Sequence, residues 1–194
     1  MKRSYVVLGV IGAIILFAFL GYYNSYNKAV KLQEEVNKSW KDVRSSYQRR
    51  ADLIPNLVNI VKGAANNEKE ILTKVTQARA GLTDVSDEIK DANSPQQIEM
   101  LGKKVNTAIR SINLTYEAYP QITSTKGFTD LQAQLEGTEN RINRERNLFN
   151  EAVAEYNIHI RGFFNSMFLN KQEFQRKEGF DSDPGTEKAP KVNT

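Results

Sequence analysis

The chain has no cysteine and one histidine, His159. Without cysteine there is no disulfide framework, no thiolate metal site, no cysteine nucleophile and no lipid attachment at a processed cysteine. One histidine lacks the partners that a histidine-based zinc site needs, so His159 reads as a surface or boundary imidazole. Proline is scarce as well, with five in 194 residues. Pro184 and Pro190 fall near the C-terminus, and Pro55, Pro95 and Pro120 each stand at a break in the apolar pattern. No stretch alternates apolar and polar residues between hairpin turns, which argues against a sheet. The glycine-rich phosphate loops, the G-x-S-x-G elbow and the H-E-x-x-H zinc helix are also missing. The expectation is a protein without cofactor, without metal and without a catalytic residue.

Most of the chain also lacks an excess of either charge. The formal net charge is +4, a value that invites a guess at nucleic-acid binding. Residues 1–54 hold nine Lys/Arg and four Asp/Glu, whereas residues 55–194 hold eighteen and nineteen. The basic surplus belongs to the N-terminal quarter, and no nucleic-acid partner is expected.

That quarter contains the one long hydrophobic run. No charge occurs from Ser4 to Asn27. Tyr5 to Tyr23 spans about 28 Å as a helix rising ~1.5 Å per residue, against a hydrocarbon core of about 30 Å. Tyr5 at one end, with Tyr22, Tyr23 and Tyr26 at the other, occupy the places of interfacial aromatics. The run is longer than the ~7–15 residues of a signal-peptide core, and no A-x-A-like cleavage site follows. A retained anchor over residues 1–27 is therefore expected. Gly9 and Ala13 form a small-xxx-small pair suited to seating a second transmembrane helix. Lys2 and Arg3 favour a cytoplasmic N-terminus. Lys28, Lys31, Lys38 and Lys41 argue the opposite, but long domains translocate largely regardless of charge. The expectation is a single-pass protein of the cytoplasmic membrane with its body on the extracytoplasmic side.

Residues 28–175 read as long helices. Ala29, Val36, Trp40, Val43 and Tyr47 share one face of a first helix that continues from the anchor. A second stripe runs Leu57, Val61, Ala64, Glu68, Ile71, Val75, Ala78, Leu82, and residues 83–93 read as a polar, acidic loop. Ser94-Pro95-Gln96-Gln97 has the form of a capping box with proline at the first helical position. The third stripe follows it: Ile98, Leu101, Val105, Ala108, Ile112, Tyr116 and Tyr119. A second capping pattern at Thr129–Gln132 opens a fourth helix bearing Leu131, Leu135, Ile142, Phe149, Val153, Tyr156, Ile160 and Phe163. The fold class expected is all-α: a transmembrane helix continuing into an antiparallel four-helix bundle. Residues 176–194 are polar and read as a disordered tail.

Two blocks are unusually dense in charge and polarity. In Arg49-Arg50-Ala51-Asp52-Leu53-Ile54-Pro55-Asn56, the arginines are placed to close one helix, and Asp52 and Pro55 to start the next. The block reads as a helix corner. In the second, Gln134 to Ile142, Gly137 lies inside a predicted helix at a cost of ~1 kcal/mol relative to alanine. Close approach of a neighbouring helix would offset it. Glu68 in an apolar stripe, with Arg79, Thr138, Glu139, Asn140 and Arg141, forms a candidate polar network or partner surface.

At these two blocks, with Val61-Lys62-Gly63, Glu68, Ala78-Arg79, Tyr119-Pro120, Arg146 and Tyr156-Asn157, the sequence resembles the LemA family of bacterial membrane proteins. The resemblance runs from the anchor to about residue 165, and departs where the family has Phe-Pro and this chain has Phe163-Phe164. It implies an N-terminal membrane helix followed by long antiparallel helices and implies no enzymatic chemistry. By association it suggests a protein partner such as a membrane-embedded metallopeptidase or a TPM-domain protein. The function expected is a non-catalytic envelope scaffold or adaptor that binds another membrane protein or a second copy of itself. The alternatives are a lipid-binding or membrane-remodelling bundle and a carboxylate-dependent envelope hydrolase. The aromatic segment 163–174 is left open between the bundle, the membrane and a partner.

Overall fold

A computed structural model describes residues 2–64, 69–80, 82, 84–117 and 125–181. Among these residues the chain is helical with no strand. In chain order the helices are α1 (Lys2–Ala64), α2 (Lys69–Ala80), α3 (Val85–Asp91), α4 (Pro95–Glu117), α5 (Lys126–Arg161) and α6 (Phe163–Phe168). The chain divides into two units, Met1–Lys41 with Leu148–Lys177 and Asp42–Asn147 with Glu178–Thr194.

In the first unit, α1 opens with the apolar run. Its large side chains from Tyr5 to Tyr23 are exposed. Among the described residues, α1 is the one helix long and apolar enough to cross a membrane. A Cβ on Gly9 would meet nothing within 4 Å, so the face it shares with Ala13 is open. Beyond the run, α1 buries Ala29, Leu32 and Val36, and α5 buries Phe149, Val153 and Tyr156. The two segments are antiparallel: Trp40 meets Phe149 with ring centroids 5.2 Å apart, and His159 meets the Ser25 carbonyl at 3.0 Å. A carbonyl only accepts, so His159 donates from Nε2, and its Nδ1 accepts from the Asn165 amide at 3.1 Å. The lone histidine is a half-buried tie between α1 and α5.

After α6 the chain doubles back along this unit. Phe174 sets its ring edge-on to Tyr26, with centroids 5.5 Å apart. The Tyr26 hydroxyl donates to Glu173 at 2.8 Å. The Asn157 side chain clasps the backbone of Lys177 twice, donating to its carbonyl at 2.8 Å and accepting from its N–H at 3.0 Å. Of the polar tail expected from residue 176, Arg176 to Asp181 have no regular secondary structure and Phe180 is buried. Residues 182–194 lie outside the described residues.

The second unit contains the main correction. The corner expected at Arg49–Asn56 does not form, because α1 runs through Pro55 without a break. The physical reason is burial. Val43, Tyr47, Ile54, Leu57, Val58 and Val61 make one continuous buried stripe across the proline. Each large apolar side chain so placed contributes about 1.5–3 kcal/mol, which outweighs the ~3 kcal/mol a proline costs inside a helix. Pro55 and Asn56 face solvent.

Residues 83–93, expected to be a loop, contain α3 instead. Val85 and Ile89 are buried one helical turn apart, and Asp87 and Glu88 in the first turn with Lys90 in the last suit the helix dipole. The capping signal at residue 94 is used as written: Ser94 Oγ accepts from the Gln97 N–H at 3.2 Å, and Gln97 Oε1 accepts from the Asn93 N–H at 3.1 Å. Ile98, Leu101, Val105, Ala108 and Ile112 are all buried, and α2 and α3 both pack on α4. α5 starts a turn before the expected Thr129, with the Thr125 carbonyl accepting from the Phe128 and Thr129 N–H groups. Phe128 is buried, and keeping it on the helical stripe favours the earlier start. The same helix ends at Arg161, so Phe163, expected on its buried face, lies past the break at Gly162 and is exposed.

Gly137 also departs from expectation. A Cβ there would meet nothing within 4 Å. The close approach belongs to Gly102 of α4, where a Cβ would fall on Tyr47 Cε1, with Cδ1 at 3.2 Å.

Candidate functional site

Beside that contact the second unit has a cleft of about 390 Å³. It is walled by Tyr47 and Arg50 of α1, Glu99 and Gly102 of α4, and Glu139 and Arg146 of α5. Local helix geometry explains why these residues converge. Tyr47 and Arg50 are three apart, as are Glu99 and Gly102, and Glu139 to Arg146 is two turns, so each set shares one helix face.

Two ion pairs line the cleft. Arg50 pairs with Glu139, their side chains 11% and 44% exposed. Burial lowers the Arg50 pKa and the adjacent Glu139 charge opposes that shift; the guanidinium stays charged at neutral pH. Arg50 Nε is buried without a hydrogen-bond partner. Arg146 donates to Glu99 at 2.6 Å, with side chains 16% and 27% exposed. The Arg146 guanidinium also lies over the Phe180 ring, 4.8 Å from its centroid, a cation–π contact. Arg146 thereby holds Phe180 down, and Gln96 reaches Glu178 at 3.3 Å in the same segment.

A second cluster uses the neighbouring face of α1. Arg44 donates to the Lys90 carbonyl, and Gln48 donates to Ser86. Asp52 accepts from Gln48 at 2.8 Å. Residues 44, 48 and 52 are one turn apart each and grip α3. Asp52 is a bridge to α3 rather than a helix cap.

The predicted site residues are thus only partly assembled. Arg50 and Glu139 come together, and with them the two dense sequence blocks. Thr138 is buried and bonds the Leu135 carbonyl at 2.7 Å within its own helix. Arg141 meets Glu145 at 3.9 Å, and Asn140 and Arg49 are exposed. Glu68 lies outside the described residues, as does the side chain of Arg79. Glu139 finds its charge partner on α1, at Arg50. Sequence reading missed Glu99, Gly102, Arg44 and Gln48. Gly102 had a signal, since it sits four residues after Ile98 and three before Val105 on the buried stripe.

The cleft's chemistry is that of paired charge. It contains no histidine or cysteine. Two-carboxylate catalysis needs carboxyl groups whose surroundings push their proton affinities apart; here Glu99 and Glu139 each face an arginine. Among the described residues no group of three or more His, Asp or Glu is arranged to hold a metal ion. Truncating Glu139 to alanine should lower the unfolding free energy by about 1 kcal/mol, since it strands a mostly buried guanidinium while half the lost charge was solvated. In an Arg50→Met background the same change should have little effect, as read by urea denaturation in a double-mutant cycle.

The sequence model of the LemA family matches residues 39–193, a span containing both blocks and the whole cleft. Protein LemA of Metamycoplasma hominis is 21% identical over 171 residues, which cover 88% of this chain and 75% of that protein.

Proposed function

The chain belongs to the LemA family, and from that premise we propose that it is a non-catalytic, membrane-anchored scaffold of the bacterial cell envelope. The anchor is the apolar start of α1 and the body is the helical part that follows, held on the extracytoplasmic side of the cytoplasmic membrane. The body binds another membrane protein or a second copy of the chain.

The observation that carries this reading is the continuity of α1. One helix presents an exposed apolar run from Tyr5 to Tyr23 and then supplies buried stripe residues as far as Val61. A helix with this division of labour joins a membrane-spanning segment to the helical part that follows it. The two arginines of the cleft support the non-catalytic part, since each is paired with a glutamate.

Chemical cross-linking of the full chain in its native membrane, followed by mass spectrometry, tests the scaffold role. Lys103 is exposed at the cleft rim and should give reproducible links to one membrane protein or to another copy. Links confined within single chains would overturn the reading. Topology has its own check. An Ala133→Cys variant, on an exposed position of a chain without native cysteine, should react with a membrane-impermeant maleimide in spheroplasts; reaction only after lysis would put the body in the cytoplasm.

A further inference from the structure

Outside the apolar run of α1, the four most exposed large apolar side chains among the described residues are Phe163 at 75%, Phe164 at 73%, Ile158 at 73% and Met167 at 69%. All four lie between residues 158 and 167. Three of them belong to α6, which buries no residue at all. Apolar exposure concentrated like this marks a contact surface.

Contacts inside the first unit fix where the surface stands. His159, at the end of α5, meets the Ser25 carbonyl at 3.0 Å. Phe168, at the end of α6, has its Cε2 3.6 Å from where a Cβ on Gly21 would stand. The chain then returns to Tyr26 through Glu173 and Phe174. From 159 to 173 it makes an excursion along α1 toward the apolar run and back, reaching Gly21 at Phe168. Tyr22 and Tyr23 mark the end of that run, so α6 sits beside the last turn of the anchor.

The polarity of the excursion matches that location. Residues 162–170 carry no charge, and Arg161 and Lys171 flank them, both exposed. Cations bordering an apolar tip are suited to anionic headgroups around an inserted segment. Several polar groups at the tip are paired internally. The Asn165 amide donates to the His159 carbonyl at 2.9 Å, the Ser166 hydroxyl to the Phe163 carbonyl at 2.9 Å, and the Ser166 and Leu169 N–H groups to the Gly162 carbonyl and the Asn165 carbonyl. A segment entering lipid needs its polar groups paired in this way.

We propose that α6 is a second membrane contact, in which Phe163, Phe164 and Met167 insert into the leaflet that the anchor leaves. The partner is a phospholipid surface, and insertion pins the lower end of α5 against it. This rests on the reading of α1 as an anchor.

The test uses the full chain reconstituted in phospholipid vesicles. Trp40 is the sole tryptophan, and Trp40→Phe removes it. In that background Phe164→Trp reports on α6 and Leu16→Trp on the anchor, in vesicles containing lipids brominated either near the headgroup or deep in the acyl chain. Far-ultraviolet circular dichroism confirms that each variant retains its helix content. The expected result is blue-shifted Phe164→Trp emission that shallow bromines quench more than deep ones, with Leu16→Trp quenched by deep bromines. Water-like, unquenched Phe164→Trp emission beside a quenched Leu16→Trp would overturn the contact and leave the anchor standing. Loss of quenching at both positions would overturn both readings. Blue-shifted emission that no brominated lipid quenches would place a protein face over α6 and overturn the proposal.

Discussion

Replacing Pro55 by alanine should stabilise the protein by about 2 kcal/mol. Inside a helix, proline costs about 3 kcal/mol relative to alanine, from a missing N–H and a ring that crowds the carbonyl four residues earlier. Part of the gain is returned, because alanine also frees the unfolded chain by about 0.4–1 kcal/mol. Pro55 lies within α1 and faces solvent, so no packing is lost in the exchange. The measurement is urea denaturation of the full chain in detergent micelles, followed by helical circular dichroism. A helix corner at this point makes the opposite prediction. There proline would occupy a first-turn position with no bond to lose, and its removal would be neutral or harmful.

Enlarging Gly102 of α4 should destabilise the protein. Alanine at this position gains about 1 kcal/mol in helix propensity. Its Cβ, however, falls on the ring of buried Tyr47, and overpacking of that kind costs about 1–3 kcal/mol. The net loss for Gly102→Ala should be about 1 kcal/mol, growing to about 3 kcal/mol for Gly102→Leu. Gly137→Ala is the contrast. It sits mid-helix with open space around it and should gain about 1 kcal/mol. The same substitution thus changes sign between two helical glycines. Trimming Tyr47 to leucine should rescue Gly102→Ala and leave Gly137→Ala unaffected. A neutral Gly102→Leu would show that the α1–α4 contact is misassigned, and a destabilised Gly137→Ala that the space beside Gly137 on α5 is not open.

These glycines show where sequence reading succeeds and where it stops. Stripe positions such as Ile98, Leu101, Val105 and Ile112 are legible because burial imposes a period that survives in the sequence. The Ser94–Gln97 cap is legible because its bonds are local. Which glycine meets a neighbour depends on the rotation of each helix about its axis. Gly137 precedes buried Thr138 and faces outward; Gly102 follows buried Leu101 yet remains on the inward face. The corner at Arg49–Asn56 was misread for a related reason. Arginine, aspartate and proline in that order have a local capping meaning, but burial on both sides of Pro55 outweighs it. α3 was hidden by its composition, with only Val85 and Ile89 as apolar signal in an acidic stretch. The Arg50–Glu139 pair joins residues 89 apart in sequence. Their residue types marked both as unusual, but only the tertiary arrangement makes them partners.

The account's central claim is that the apolar start of α1 is a retained membrane anchor carrying a helical body. Alkaline carbonate extraction of native membranes, with intact-mass determination of the recovered chain, tests this most directly. The expected chain stays in the membrane pellet, and its mass includes residues 1–27. Recovery in the carbonate supernatant of a chain shortened at its N-terminus would contradict it.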